Sequence, residues 1–192
     1  MEIGKFEIIV IGGSSGSLPV LINIVNALPD DFDIPIIIII HRLKNVKSDL
    51  KNLLSSKRKT FEPEDKEPVR NGCIYLAPQN YHLLVEDNRT FSLDYSEPVN
   101  FSRPSIDVTF MSVADAYGSS TAGILLSGAN RDGAEGINEI ILRNGCGIVQ
   151  DPTTADYPAM PESAIQLNNK VKVLSPENIV HTILAQHQNT NT

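Results

Sequence analysis

Three polar residues of the sequence have the side-chain chemistry of a nucleophile, a base and an orienting carboxylate. Ser14 lies in the stretch IGGSSGSLPVL, His41 ends the run IIIII, and Asp132 lies in the loop SGANRDGA. A serine hydroxyl that is activated by a histidine, itself oriented by a carboxylate, attacks esters and amides through an acyl-enzyme. This combination predicts a serine hydrolase if the fold brings the three side chains together.

Each of the three residues follows an apolar run that is typical of a buried strand. The runs are Phe6–Ile11, Ile34–Ile40 and Thr121–Leu126, and continuous β-branched runs of this length belong to parallel sheets. The carboxyl ends of parallel strands lie at one edge of the sheet, and ligands bind there near the point where strand order reverses. We therefore expect the three polar residues at that edge.

The rest of the chain alternates strand-like and helix-like patterns, which predicts a doubly wound, mostly parallel α/β sheet with helices on both faces. The segment Ser55–Gly72 is charged and is expected to be mostly a surface connection. Further strands are expected at Cys73–Ala77, Gly147–Gln150 and Val171–Leu174, with one antiparallel hairpin from Tyr81–Glu86 and Thr90–Tyr95. Helices are expected after a cap at Ser17, around Val46 to Leu54, from Pro104, from Ala134, over Pro161–Leu167 and from Pro176.

Composition places limits on the class of protein. The chain has 192 residues, 41% of them hydrophobic, and a formal net charge of −7. This size fits a single domain, and the negative charge disfavours nucleic acid as the main partner. The longest apolar run is too short to span a bilayer. Because the start also lacks the pattern of a signal peptide, a cytoplasmic protein without membrane insertion is expected.

The cysteines and the polar end of the chain give two smaller expectations. Cys73 and Cys146 lie in apolar runs, so they are expected to be buried, reduced thiols. The spacing of potential ligands suggests no metal site, and no cofactor is expected. The end of the chain, from Gln186 onward, is polar and is expected to fray.

Simpler explanations exist for the individual residues. Ser14 can be a small residue in a tight turn, and Asp132, with a glutamate three positions later, fits a helix cap. His41 is harder to explain in this way, because a partly desolvated histidine at a sheet edge can serve as a base. Asp151, just after a predicted strand, competes with Asp132 for the third position, and spacing leaves both open.

The opening loop also resembles the nucleotide-binding loop of short-chain dehydrogenases, which would hold a nicotinamide cofactor. Two observations disfavour this alternative. The second strand ends in His41-Arg42 rather than in an acidic residue that could hold the ribose. The resemblance would also require a tyrosine with a lysine four positions on, and none of the five tyrosines has one.

Six stretches of the sequence, in order, are IGGSSGS, IIIIIH, GCIYLAPQNYHLLVED, RPSIDVTF, LLSGANRDGAEGI and VQDPTTADYPAMPESAI. Together, over about Ile8 to Ile183, they resemble the CheB-type protein-glutamate methylesterases of bacterial chemotaxis. The resemblance implies a single methylesterase catalytic domain over residues 1–187, a frayed polar tail over 188–192, and no receiver domain. Two alternatives stay open. The chain is either a stand-alone esterase that a separate partner protein regulates, or a domain excised from a longer protein.

The resemblance also assigns roles to residues. It implies that Ser14 is the nucleophile, His41 the general base and Asp132 the orienting carboxylate. The backbone N–H groups of Ser15 and Ala129 are the candidates for the oxyanion hole. The implied reaction is hydrolysis of glutamate γ-methyl esters on the cytoplasmic helices of methylated chemoreceptors, without a metal or cofactor. Deamidation of receptor glutamines is a further activity of this family.

The sequence departs from the pattern of the family at a few positions, which bear on substrate choice. Ser102 stands where the family often has a histidine, and Ala129 and Arg131 stand where methionine and asparagine are frequent. Arg131 is either a contact for acidic residues of the substrate or a solvated loop residue. A catalytically idle module that binds a receptor or signalling protein is the alternative from a different functional class.

Overall fold

The computed structural model describes residues 5–42, 49–55 and 59–188. The strands are β1 (Ile8–Gly13), β2 (Ile36–Ile40), β3 (Thr60–Phe61), β4 (Ile74–Leu76), β5 (His82–Val85), β6 (Phe91–Asp94), β7 (Thr121–Leu125), β8 (Cys146–Gln150) and β9 (Lys172–Leu174). The helices are α1 (Leu18–Ala27), α2 (Leu50–Leu54), α3 (Ile106–Tyr117), α4 (Ala134–Leu142), α5 (Ala159–Leu167) and α6 (Pro176–Gln188). Short 3-10 turns cover Gly118–Ser120 and Pro152–Thr154.

The main sheet of the described chain is parallel, in the order β3-β4-β2-β1-β7-β8-β9. The central strand β1 pairs with β2 on one side and with β7 on the other, so the strand order reverses around β1. Its register sets Gly13 opposite Ile40 and Gly12 opposite Leu125. The loops that follow these three strands therefore leave the sheet at one edge, where α/β proteins bind ligands.

Alternate residues of the central strands face two separate cores, which explains why these strands are continuously apolar. On one face Ile9 and Ile38 pack with residues of α1 and α6. On the other face Ile8 and Ile39 pack with residues of α3, α4, α5 and the β5–β6 hairpin. This arrangement confirms the prediction of a doubly wound sheet with helices on both faces and one antiparallel hairpin.

The sequence-based description missed one short strand and was wrong about the burial of the cysteines. The segment Ser55–Gly72, expected to be mostly a surface connection, contains the edge strand β3, which pairs with β4. Two residues between charged and proline-containing stretches are too few to give a periodic signal. Cys73 and Cys146 are half-buried free thiols rather than buried ones, since Cys73 directly precedes β4 and Cys146 is the first residue of β8. Val46 lies outside the described residues.

The polar end of the chain is more ordered than its composition predicts. Gln186 is only 2% exposed, and its side-chain oxygen accepts a hydrogen bond from the backbone N–H of Phe6 at 3.1 Å. The expectation of fraying is therefore wrong at this residue, because the amide anchors α6 beside the start of β1. Within the described ranges, all helices are too short or too polar to cross a bilayer.

Candidate active site

The ends of β1, β2 and β7 are joined by backbone hydrogen bonds that bring Ser14 and His41 to one place. The N–H of Ser14 donates to the carbonyl of Ser127 after β7 at 2.9 Å, and the N–H of His41 donates to the carbonyl of Gly13 at 3.3 Å. Both Ser14 and His41 line a cavity of about 490 Å³ at this edge. The structure thus places the predicted nucleophile and the predicted base in the same cavity wall.

Glycines let the loop after β1 turn sharply into α1. At Gly13 a Cβ atom would lie 2.6 Å from Cβ of Ser17, so a side chain there would collide with the start of the helix. Gly16 has φ +78°, and a Cβ atom there would lie 2.7 Å from the Ser127 hydroxyl.

The predicted helix cap at Ser17 is only partly right. Ser17 directly precedes α1, but its hydroxyl donates to the carbonyl of Ser14 at 2.7 Å instead of accepting from a backbone N–H of the helix.

His41 and Asp132 form a direct pair, with 2.8 Å between Nε2 of the ring and Oδ2 of the carboxylate. Asp132 is fully buried, whereas His41 is half-buried and reaches the cavity. The competing residue, Asp151, has a different place. Its carboxylate accepts hydrogen bonds from the N–H and hydroxyl of Thr153, so it caps the following 3-10 turn.

The Asp132 carboxylate is held by donors from the start of α3. Its Oδ2 accepts the N–H of Ile106 at 2.8 Å, and its Oδ1 accepts the hydroxyl of Ser105 at 2.8 Å and the N–H of Asp107 at 3.1 Å. Burial opposes the charged form, but the hydrogen bonds from His41 and from these groups outweigh it, so the pKa of Asp132 is lowered. The carboxylate therefore stays ionised beside the imidazole.

The orientation of the His41 ring decides which nitrogen can act as the base. An ionised carboxylate only accepts hydrogen bonds, so in the neutral ring Nε2 must carry the proton that is shared with Asp132. The lone pair is then on Nδ1. In the triad of chymotrypsin the two nitrogens have the opposite roles, so Nδ1 is the nitrogen of this ring that is left to act as a base.

Asp107 is a second buried carboxylate beside Asp132, and no pattern in the sequence singled it out. Its Oδ1 accepts the backbone N–H groups of Gly133 and Gly136, both at 2.8 Å. Burial, together with the nearby charge of Asp132, raises the pKa of Asp107 to about 6. Asp107 therefore links α3 to the start of α4. Asp132 lies just before α4, so its position depends on this link.

The Asp107→Asn variant is expected to change how stability depends on pH. Because folding raises the pKa of Asp107 above its ordinary value, its contribution to stability is full at low pH and is lost as pH rises through about 6. The free energy of unfolding of the variant, minus that of the wild type, should therefore rise by up to about 3 kcal/mol between pH 4 and pH 7. Urea unfolding at the two pH values measures this difference.

Asp115, an exposed carboxylate on the same helix, provides the control. The Asp115→Asn variant should show a much smaller change between the two pH values. A constant difference between Asp107→Asn and the wild type from pH 4 to pH 7 would contradict the role given to burial.

The two oxyanion-hole candidates lie in adjacent loops that Ser127 connects. The Ser127 hydroxyl donates to the carbonyl of Ser15 at 2.8 Å and accepts the N–H of Tyr157 at 3.0 Å. Ser15 lines the cavity, whereas Ala129 is exposed and directly precedes Asn130, which lines it. Arg131 is also exposed and lines a neighbouring cavity of about 310 Å³.

A second histidine, His82, holds one of the residues that bind the Asp132 carboxylate. His82 is fully buried; its Nδ1 accepts the N–H of Ser105 at 3.1 Å, and its Nε2 donates to the carbonyl of Glu97 at 3.1 Å. Ser105 in turn donates to Asp132. His82 therefore fixes the chain that holds the carboxylate. The sequence pattern of the hairpin could not indicate this role, because the hydrogen-bond partners of His82 lie in a later loop.

A parallel sheet with a serine loop and a histidine–carboxylate pair at its switch point is typical of α/β proteins of hydrolytic type. A family model described as CheB methylesterase matches residues 9–183. The chain belongs to the CheB methylesterase family. This membership confirms the resemblance drawn from the six sequence stretches and identifies an ester hydrolase, which sets the nucleotide-binding alternative aside.

Known proteins from several organisms are similar to the chain. A putative protein-glutamate methylesterase/protein-glutamine glutaminase of Leptospira interrogans (serovar copenhageni) is 43% identical, over 96% of this chain and 97% of the relative. Protein-glutamate methylesterase/protein-glutamine glutaminase 1 of Carboxydothermus hydrogenoformans is 34% identical, over 93% of this chain and 55% of the relative. The crystal structure of the Thermotoga maritima CheB methylesterase catalytic domain superposes with a TM-score of 0.87 at 30% identity, covering 95% of this chain and 99% of that one.

Proposed function

We propose that this protein hydrolyses glutamate γ-methyl esters on the cytoplasmic helices of methylated chemoreceptors, through the triad of Ser14, His41 and Asp132. The observation that carries the proposal is the 2.8 Å contact between the ionised, buried Asp132 and His41, which lines the same cavity as Ser14. The family supplies the reaction class, and the names of the relatives supply the substrate bond.

The first half of the reaction forms an acyl-enzyme. Nδ1 of His41 takes the proton of the Ser14 hydroxyl as its oxygen attacks the ester carbonyl. Asp132 stabilises the imidazolium that forms, and the N–H groups of Ser15 and Ala129 bind the negative oxygen of the tetrahedral intermediate. The imidazolium then gives its proton to the departing methoxide. Methanol leaves, and the glutamyl group remains attached to Ser14.

The second half repeats these steps with water. His41 takes a proton from a water molecule, which attacks the glutamyl ester on Ser14, and the imidazolium returns that proton to the Ser14 oxygen as the free glutamate side chain leaves. A glutamine side chain presents the same carbonyl with ammonia as the leaving group. Deamidation of receptor glutamines is therefore included in the proposal, in line with the second activity in the names of the relatives.

Methanol release from purified, methylated chemoreceptor tests the proposal. The wild-type protein should release methanol in proportion to the methyl groups present, at a rate that rises with enzyme concentration. A protein that binds the methylated receptor but leaves its esters intact would instead be the idle binding module. Since the substrate helices are cytoplasmic, the proposal also places the enzyme in the cytoplasm.

A further inference from the structure

A tight turn over residues 99–102 lies at the mouth of the cavity. The N–H of Val99 donates to the carbonyl of Ser102 at 3.1 Å, and the N–H of Ser102 donates back to the carbonyl of Val99 at 2.9 Å. The two central residues, Asn100 and Phe101, have φ of +48° and +63°. Positive φ at both central positions is the mark of a type I′ turn.

Phe101 is an unexpected residue for its position in this turn. Type I′ turns favour asparagine followed by glycine, and a bulky side chain at positive φ is strained. The Phe101 side chain is also fully exposed, so the fold gains nothing from burying it. Neither the backbone nor the packing of this chain therefore accounts for an aromatic ring at residue 101.

The turn is held firmly against the catalytic carboxylate. The side-chain amide of Asn100 donates to Oδ2 of Asp107 at 2.8 Å and to Oδ1 of Asp132 at 3.4 Å. On the other side, the guanidinium of Arg103 donates to the carbonyl of Tyr95 at 2.9 Å and lies 4.0 Å from the centre of its ring. These contacts fix the direction in which the turn presents its exposed ring.

Phe101 belongs to the lining of the cavity that contains Ser14 and His41. A glutamyl side chain that reaches Ser14 must enter this cavity, while the polypeptide that carries it stays outside and crosses the mouth. Phe101 therefore lies where the polypeptide has to pass. The exposed ring of Tyr95, which contacts that of Tyr81, extends the apolar surface beside the turn.

We infer that Phe101 is a substrate-docking residue that packs against an apolar side chain of the substrate polypeptide, next to the esterified glutamate. The inference rests on the proposed function for the identity of the substrate. An exposed ring gains the most free energy when an apolar group covers it and removes it from water, which indicates the chemistry of its partner. The fixed turn lowers the entropy lost on binding, because the ring is already held in place.

The Phe101→Gly variant tests this role and leaves the turn intact, since glycine is the preferred residue at this position. Removal of the ring should raise KM for methylated chemoreceptor about tenfold to one hundredfold. The value of kcat should stay within about twofold of wild type, because the ring does not contact the reacting atoms. Methanol release at a series of receptor concentrations measures both constants.

A binding measurement separates docking from catalysis. In the inactive Ser14→Ala background, Phe101→Gly should raise the Kd for methylated receptor by the same factor as it raises KM. Phe101→Leu, which keeps an apolar side chain, should restore most of the affinity. Leu142→Ala is the matched control, because this exposed apolar residue ends α4, away from Asp132, and its loss should leave both KM and Kd unchanged.

Unchanged KM and Kd in Phe101→Gly would overturn the docking role. A fall in kcat with unchanged KM would overturn it as well, since the ring would then act on the catalytic groups. If the wild-type protein releases no methanol, the proposed function fails, and the Kd comparison still decides whether Phe101 docks the receptor.

Discussion

Replacement of Ser14 by alanine is expected to abolish methanol release from methylated chemoreceptor, with a loss in kcat of about 10⁴-fold or more. The variant lacks the oxygen that forms the acyl-enzyme, and the remaining parts of a triad contribute little without it. The fold should be unaffected, because the contacts that hold this residue are made by its backbone N–H and carbonyl. Methanol release and urea unfolding measure the two expectations.

The adjacent serine is the natural control for this variant. Ser15→Ala removes a hydroxyl from the same loop but keeps the backbone N–H that is proposed for the oxyanion hole and the carbonyl that accepts from Ser127. It should retain activity close to wild type. Substantial activity in Ser14→Ala, together with a large loss in Ser15→Ala, would move the nucleophile to the neighbouring residue.

The Asp132→Asn variant is expected to lose about 10³-fold to 10⁴-fold in kcat. With its NH₂ toward His41 the amide donates to Nε2 and Nδ1 is no longer the base, and with its oxygen there it accepts from Nε2 but has no charge to stabilise the imidazolium. Stability should fall too. Both carboxylate oxygens accept from donors such as Ile106 N–H and the Ser105 hydroxyl. Either orientation of the amide therefore turns its NH₂ toward other donors, which costs about 1–3 kcal/mol.

Asp151→Asn is the matched control, because the sequence alone left Asp151 as an alternative third member. This residue caps a 3-10 turn through its carboxylate, so the variant should keep its activity and lose at most about 1 kcal/mol of stability. Steady-state methanol release and urea unfolding of both variants compare the two aspartates. An active Asp132→Asn beside an inactive Asp151→Asn would show that the triad is wrongly assigned.

Much of the fold and the placement of the site followed from the apolar runs. Strands buried on both faces are continuously apolar, so β1, β2 and β7 could be located from composition, and the strand-end rule then brought Ser14, His41 and Asp132 together. The choice between Ser14 and Ser15 came from resemblance to the family, because both residues occupy the same loop and spacing does not separate them.

The support of the carboxylate could not be predicted from the sequence. Ser105 and Ile106 lie more than 25 residues before Asp132 and contact it only because α3 begins directly over the loop after β7. Asp107 looked like an ordinary polar residue in the first turn of a helix, and its burial depends on how α3 packs against α4. Contacts of this kind arise from tertiary packing, which local patterns do not contain.

The hydrogen bond between Gln186 and Phe6 has a practical consequence for attaching the protein to other molecules. Phe6 precedes the central strand, so this contact lies at the amino edge of the sheet, whereas the cavity opens at the carboxyl edge. Both ends of the described chain are therefore close together on the side opposite the cavity. A fluorescent dye, a solid support or a fused protein attached beside residue 5 or residue 188 would begin there, away from the cavity that contains Ser14 and His41.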